Sequence, residues 1–211
     1  MAPGAATSDG KVRRKSRYSS DIDVHNANGP AVPSLRRLRT RRLDLEPVRT
    51  EHAEELAHAL CDPSLHAYTG GRPLTPEEWR TRLTAWARGR SPDNAESWWN
   101  WVVRVRESGQ VIGYVQATVT AAEATIAYVI GTPWQHVGYA TEATRALIDH
   151  LEAARTSERL VAWIVPGHAA SERVARAGGL SPTERYDEDG ERAWSASLRG
   201  TAKFGDGKFE G

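Results

Sequence analysis

The sequence predicts an α/β protein in which a mixed, mostly antiparallel sheet of six to seven strands is flanked by about four helices. Two observations support this prediction: apolar, β-branched segments recur along the chain, and segments with helical spacing of apolar residues lie between them. The strand segments lie near residues 42–48, 98–105, 111–119, 123–130, 160–165, 181–185 and 194–198. The helical segments lie near residues 51–61, 76–88, 140–151 and 168–177.

Local patterns justify the elements in order. Residues 42–48 alternate between apolar and polar side chains, as in a strand with one buried face. Thr75, followed by a proline and by Glu78, has the pattern of a capping box and starts the second helix. Ser108-Gly109 joins two strands into a hairpin. The short apolar run 160–165 is typical of a buried parallel strand.

Length and composition indicate a single soluble domain with tails. The chain has 211 residues, a net charge of +1 and one cysteine, Cys61. A single cysteine excludes an internal disulfide and favours a reducing compartment. No apolar run reaches membrane-spanning length, and the N-terminus lacks the apolar centre of a signal peptide. We therefore expect a cytoplasmic protein that makes no membrane contact.

Composition divides the chain into a tail at residues 1–38, a domain at 39–200 and a second tail at 201–211. The first 42 residues carry ten basic and three acidic side chains. One interpretation is salt-sensitive contact with RNA or the ribosome. The favoured interpretation is a solvated tail, because Tyr18 is the one aromatic residue among the charges and a stacking surface would need several.

A tight turn containing glycine follows the apolar segment that ends near residue 131. Its sequence is Gln135-His136-Val137-Gly138-Tyr139-Ala140, and an amphipathic helical segment leaves it. A strand–turn–helix of this kind aims unpaired backbone N–H groups and the positive helix end at one point. That arrangement is suited to binding phosphate, and a Cβ atom at Gly138 could block the approach of the anion.

Gln135, Gly138 and Ala140 match the pattern Gln/Arg-x-x-Gly-x-Gly/Ala. The arrangement resembles motif A of the GNAT superfamily of acyl-CoA-dependent N-acyltransferases. The longer run 134–143 is similar to the RimJ/RimL-like branch, which contains the ribosomal-protein N-terminal acetyltransferases. The resemblance covers about residues 40–199 and implies a sheet splayed between its fourth and fifth predicted strands, with a β-bulge in the fourth. Coenzyme A would lie in that gap, with acetyl-CoA as co-substrate.

The resemblance also implies which residues contact coenzyme A. The predicted phosphate-binding residues are Gln135, His136, Val137, Gly138, Tyr139, Ala140 and Thr141. Backbone groups near Val129, Ile130 and Gly131 would pair with the pantetheine arm instead of with another strand. A second motif begins at His168, which replaces the asparagine that contacts pantetheine in the family. A neutral imidazole can still donate and accept a hydrogen bond.

Two residues are the predicted catalytic groups. Ser171 is expected to donate a proton or hydrogen bond to the departing thiolate, because the branch resembled uses serine there and the tyrosine of many members is replaced by Val174 or Ala175. The alternative for Ser171 is a hydroxyl bonded to its own helix backbone. Glu123 is the candidate base for the amine, and its alternative is a solvated carboxylate at a strand end.

The predicted function is transfer of an acetyl group from acetyl-CoA to a primary amine, either a protein N-terminus or a small molecule. The alternatives are another acyl donor such as succinyl-CoA and a non-catalytic coenzyme A-binding regulatory module. The seven scattered histidines show no metal-ligand spacing. Five tryptophans cluster near the predicted acceptor wall, as a pocket lining or as packing: Trp79, Trp86, Trp98, Trp99 and Trp101.

Overall fold

A computed structural model of the protein describes residues 35–66, 71–155 and 157–198. Its strands are β1 (Leu38–Arg39), β2 (Leu43–Pro47), β3 (Ser97–Val105), β4 (Val111–Val119), β5 (Glu123–Ile130), β6 (Arg159–Ile164), β7 (Ser181–Tyr186) and β8 (Arg192–Ser197). Its α-helices are α1 (Ala53–Ala59), α2 (Pro76–Ala87), α3 (Tyr139–Ala154) and α4 (Ala169–Ala177). Short 3-10 turns cover Thr50–His52, Pro63–Leu65 and Thr132–Trp134.

The eight strands form one sheet in the order β1-β2-β3-β4-β5-β6-β8-β7. All neighbouring strands are antiparallel except β5 and β6, which run parallel. The predicted mixed, mostly antiparallel sheet with four helices is therefore confirmed. The eighth strand, β1, was not predicted because two residues are too short to show an alternating pattern.

The helices cover both faces of the sheet. On one face α3 buries the apolar stripe that the sequence predicted, including Ala143, Leu147 and Leu151, and α4 packs beside it. On the other face α1 and α2 contribute Leu56 and Leu83 to a second apolar cluster. The sheet is thus the middle of three layers, and each face has its own core.

The sheet opens between β5 and β6. Their parallel pairing joins Glu123–Ile126 to Arg159–Ala162 and stops there. The remaining half of β5, residues 127–130, pairs only with β4. The gap predicted between these strands is present, at the end of β5 that leads to the Gly138 loop. The expected β-bulge is not, because the register of β5 on β4 is continuous, and the nearest irregularity lies at Val103/Arg104 in β3.

Residues just before the predicted domain boundary contact the sheet. Leu38 and Arg39 pair with β2, and the indole N–H of Trp101 donates to the carbonyl of Arg36 at 3.0 Å. Arg37 forms an ion pair with Glu46 at 2.6 Å. These contacts tie residues 35–38, which the sequence assigned to the tail, to the sheet.

Three predictions fall on residues outside the described part: the basic segment before residue 35, the loop at 67–70 and the C-terminal segment after 198. Within the described ranges, no helix combines the length and the apolar character needed to span a membrane.

Candidate active site

The loop between β5 and α3 has two residues in the left-handed backbone region. His136 has a φ of 64° and Gly138 a φ of 88°. Gly138 is the N-cap of α3, and no side chain caps this helix end. Glycine adopts a positive φ at no steric cost, so the chain can turn sharply into the helix here.

The turn leaves a row of backbone donors unpaired. The first N–H of the helix with a partner is that of Glu142, which donates to the Gly138 carbonyl at 3.0 Å. The six N–H groups from His136 to Thr141 donate to no acceptor within the described ranges. His136, Val137 and Gly138 are also exposed. Exposed donors at the positive end of a 16-residue helix have the arrangement that suits an anion.

The side chain of Gln135 holds the loop against the strand that precedes it. Its amide nitrogen donates to the Ile130 carbonyl at 2.9 Å. The structure therefore directs this predicted cofactor-binding side chain at β5. Its observed effect is to fix where the loop leaves the strand.

Two of the three residues whose backbone was predicted to pair with pantetheine direct their polar groups at β4. Gly131 donates its N–H to the Ile112 carbonyl of the segment paired with it, at 2.8 Å. In a continuous antiparallel ladder alternate residues direct their polar groups to the same neighbour, so Val129 also faces β4. The backbone groups of Tyr128 and the Ile130 N–H face the gap instead, and the Ile130 carbonyl on that side accepts from Gln135. The strand register decides this alternation, and composition does not reveal it.

His168 lies one residue before α4 and caps it. Its Nδ1 accepts a hydrogen bond from the Ser171 N–H at 3.2 Å. Burial lowers the pKa of His168, and the nearby Glu172 carboxylate opposes this by raising it. The imidazole is therefore held in its neutral form with Nδ1 as acceptor, a helix-capping arrangement that asparagine can also provide.

Tyr128 joins β5 to α4 across the gap. Its hydroxyl donates to the Ser171 carbonyl at 2.9 Å, and burial raises the pKa of this phenol despite that hydrogen bond. The sequence did not predict this contact, because Tyr128 lies in an apolar strand segment and has no motif of its own. Its contact places Ser171 at the open end of the splay.

The hydroxyl of Ser171 makes no hydrogen bond to any described residue. Thr81 and Thr84 in α2 do bond to carbonyls of their own helix, at 3.1 and 2.8 Å. The interpretation of Ser171 as a hydroxyl satisfied by its own helix therefore finds no support in the geometry.

Glu123 lies at the paired end of β5, opposite Arg159. One of its carboxylate oxygens pairs with Arg185 at 3.1 Å, and the other accepts from Thr125 at 3.4 Å. Its side chain is 20% exposed, so it is not a freely solvated carboxylate. The candidate base is thus an ion-paired group whose other contact is long and weak.

The face of the sheet that packs against α1 and α2 carries both buried polar atoms and a cluster of aromatic rings. Asn100 and Gln116 are direct cross-strand partners, and their side-chain oxygens lack a hydrogen-bond partner among the described residues. The rings of Trp79 and Trp86 in α2 contact the Tyr114 ring, at centroid distances of 5.8 and 5.2 Å. This face is the predicted acceptor side.

The tryptophan cluster is divided between the two faces of the sheet. Trp98 packs on the same face as α2, together with Trp79 and Trp86. Trp99 and Trp101 pack on the other face, with ring centroids 5.4 and 5.5 Å from His150 of α3. Alternation along β3 separates these neighbours, so only part of the cluster can line an acceptor pocket.

Across the described ranges, no group of three or more His, Cys, Asp or Glu side chains has the arrangement of a metal site.

Residues 42–181 match the family described as acetyltransferase (GNAT) domain. This match covers well over half of the chain, and the protein belongs to the GNAT family of acyl-CoA-dependent N-acetyltransferases. A search of curated proteins found no match.

Solved structures with the same fold include acetyltransferases of several kinds. A GNAT acetyltransferase from Bacillus anthracis superposes with a TM-score of 0.65 at 16% identity, covering 77% of this chain and 99% of that one. The ribosomal-protein-S5-alanine acetyltransferase from Vibrio fischeri gives 0.63 at 17% identity, with 78% and 97% covered. RimL, the ribosomal L7/L12 α-N-protein acetyltransferase in complex with coenzyme A, gives 0.63 at 16% identity, with 77% and 98% covered.

Proposed function

We propose that this protein transfers the acetyl group of acetyl-CoA to a primary amine, with a protein N-terminus as the first acceptor class and a small-molecule amine as the second. The observation that carries the proposal is the row of six unpaired N–H groups from His136 to Thr141 beside the gap between β5 and β6. A pyrophosphate bound there would neutralise the helix end and satisfy donors that the protein leaves open.

The gap offers a path from this anion site to Ser171. The backbone groups of Tyr128 and the Ile130 N–H face it, and the Tyr128 hydroxyl fixes the first turn of α4 on its far side. An extended pantetheine arm can pair with strand backbone as an added strand does. The thioester would then lie near Ser171, and the acceptor would approach from the face that carries Asn100 and Gln116.

The reaction requires a neutral amine. The amine nitrogen attacks the thioester carbonyl carbon, and the carbon–sulfur bond then breaks. An α-amine has a pKa of about 8 and a lysine amine about 10.4, so an α-amine reaches the neutral form more easily at neutral pH. Glu123 lies five strand residues from Tyr128, so it could take the amine proton only through ordered water, and otherwise water alone takes it. The Ser171 hydroxyl donates to the departing thiolate. Because Glu123 is paired with Arg185, its role as a base needs a test. If Glu123→Gln remains active, water takes the amine proton.

Protein N-termini come first because of the relatives. RimL and the S5-alanine enzyme carry protein acceptors in their names. The test is to measure coenzyme A binding by calorimetry and then thiol release from acetyl-CoA with N-terminal peptides and small amines, with products identified by mass spectrometry. Acetylated α-amines would support the proposal. Turnover only with succinyl-CoA, or binding without turnover on any amine, would replace it with one of the two alternatives.

A further inference from the structure

Arg42 connects the start of β2 to the Gly138 loop and to the first turn of α3. Its backbone is anchored in the sheet, because its carbonyl accepts from the Arg106 N–H at 2.9 Å. Its side chain reaches nearly 100 residues along the sequence: Nη1 donates to the Val137 carbonyl at 3.0 Å, and Nε donates to Glu142 at 2.7 Å. The guanidinium carbon also lies 4.6 Å from the centroid of the Tyr139 ring. One side chain thus contacts three residues of the loop and helix start.

The hydrogen bond from Arg42 to the Val137 carbonyl affects which way the unpaired N–H groups of the loop point. Val137 lies between His136 and Gly138, both in the left-handed region. With the Val137 carbonyl held towards Arg42, the two flanking peptides are restrained, and the neighbouring N–H groups stay unpaired and exposed. An anion site formed by consecutive N–H groups depends on this restraint, because a loop that is ordered only on binding loses affinity to the entropy of ordering.

The bond to Glu142 bears on charge. A carboxylate in the first turn of α3 lies close to the proposed pyrophosphate and would repel it. Glu142 accepts from the Thr40 hydroxyl at 2.6 Å and from the Arg42 N–H at 2.8 Å, besides the Arg42 side chain. Burial acts to raise the pKa of Glu142, but these hydrogen bonds outweigh it and lower the pKa. The carboxylate therefore stays charged and is turned towards Arg42 and Thr40, with its charge offset by the guanidinium.

Gly138 is the third part of the arrangement. A Cβ atom on Gly138 would lie 3.4 Å from Nη2 of Arg42. The guanidinium thus packs directly against the backbone of the residue on which the phosphate approach depends. The Arg42 side chain is 33% exposed, which is intermediate between a buried structural arginine and a solvated one.

We propose that Arg42 is a positioning residue for coenzyme A: it holds the loop of residues 135–138 in its anion-binding conformation and offsets the Glu142 charge. The assignment rests on the proposed binding of coenzyme A at this loop. Because Arg42 acts through the loop, its loss affects cofactor binding and leaves the chemical step intact.

The test compares two variants. Arg42→Met keeps the length of the side chain over Tyr139, and Arg42→Lys keeps the charge but not the planar guanidinium with its several N–H donors. Arg39→Ala is the matched control, because Arg39 pairs with Asp44 on the same hairpin at 3.7 Å and is 66% exposed. The measurements are calorimetric Kd for coenzyme A, KM and kcat for acetyl-CoA with an amine, and the melting temperature.

We expect Arg42→Met to raise Kd and the KM for acetyl-CoA about tenfold, equal to about 1.4 kcal/mol, with kcat within about twofold of the parent. Arg42→Lys should recover only part of the affinity, since an ammonium contacts Glu142 or the Val137 carbonyl but lacks the planar fork for both. Arg39→Ala should bind as the parent does.

Parent-like Kd in a folded Arg42→Met variant would overturn the assignment, and so would full recovery by Arg42→Lys, which would indicate charge alone. A loss in kcat at unchanged KM would overturn it as well. The proposed function fails separately: it fails if the parent protein itself binds no coenzyme A, or if Gly138→Val binds it as well as the parent does.

Discussion

Gly138→Val tests the central assignment, that coenzyme A binds through the turn into α3. A valine at a φ of 88° destabilises the protein by about 1–2 kcal/mol, whether or not coenzyme A is bound. Inside the protein the new Cβ has room, because its nearest neighbour is the end of the Arg42 side chain at 3.4 Å. We expect the valine methyl groups to obstruct a pyrophosphate that approaches the exposed N–H groups of this turn. We expect coenzyme A affinity to fall at least tenfold, or about 1.4 kcal/mol.

Gly190→Val separates backbone strain from obstruction of the ligand. Gly190 lies in the β7–β8 turn with a φ of 79°, and a Cβ there meets nothing within 4 Å. Both variants should lose similar stability in thermal melts, and only Gly138→Val should lose coenzyme A in calorimetry. Equal affinity in the two folded variants would refute the binding site, and equal loss in both would show that strain alone is responsible.

Three further predictions concern α4 and the N-terminus. Ser171→Ala should lower kcat about 10²–10⁴-fold at nearly unchanged coenzyme A affinity, and parent-like kcat with chemistry rate-limiting would make Ser171 structural. His168→Asn should keep the cap of α4 but remove a pH dependence. Because burial lowers the His168 pKa in the folded state, the parent should lose stability relative to this variant as pH falls below about 6.5 in melts; parallel curves would contradict this. Removing residues 1–34 should leave melting temperature and turnover nearly unchanged, whereas removing 1–38 should lower the melting temperature, because it deletes Leu38 of β1 and the Arg36 carbonyl bonded to Trp101. Equal melting temperatures for the two truncations would show that residues 35–38 contribute nothing.

Much of the fold could be predicted because its signals are local. The capping box at Thr75 and Glu78 is present as expected, and α3 buries the stripe that its spacing indicated. The glycine turn at residues 135–138 was also predictable, since a glycine between an apolar strand and an amphipathic helix is a local signal. The contacts of residues 36 and 38 with the sheet could not be predicted, because a two-residue strand and one indole hydrogen bond leave no periodic pattern.

The candidate site could be predicted only where its residues are consecutive. The sequence could not assign Val129 and Gly131 to β4, because the side of a strand on which each backbone group lies depends on register. It also could not place Tyr128 against Ser171, or pair Glu123 with Arg185, since these contacts join segments far apart along the chain.

The sequence by itself determined the order of the helices and of the strands other than β1, the mixed sheet, the family and the glycine turn between β5 and α3. The reason is that apolar periodicity, capping and glycine turns act within a few residues of chain. The tertiary structure alone decided which donors stay open, which carboxylates are paired, and that Arg42 meets Val137 and Glu142. The reason is that these contacts exist only once the sheet has brought β2 beside α3, and no local pattern of side chains encodes a separation of nearly 100 residues.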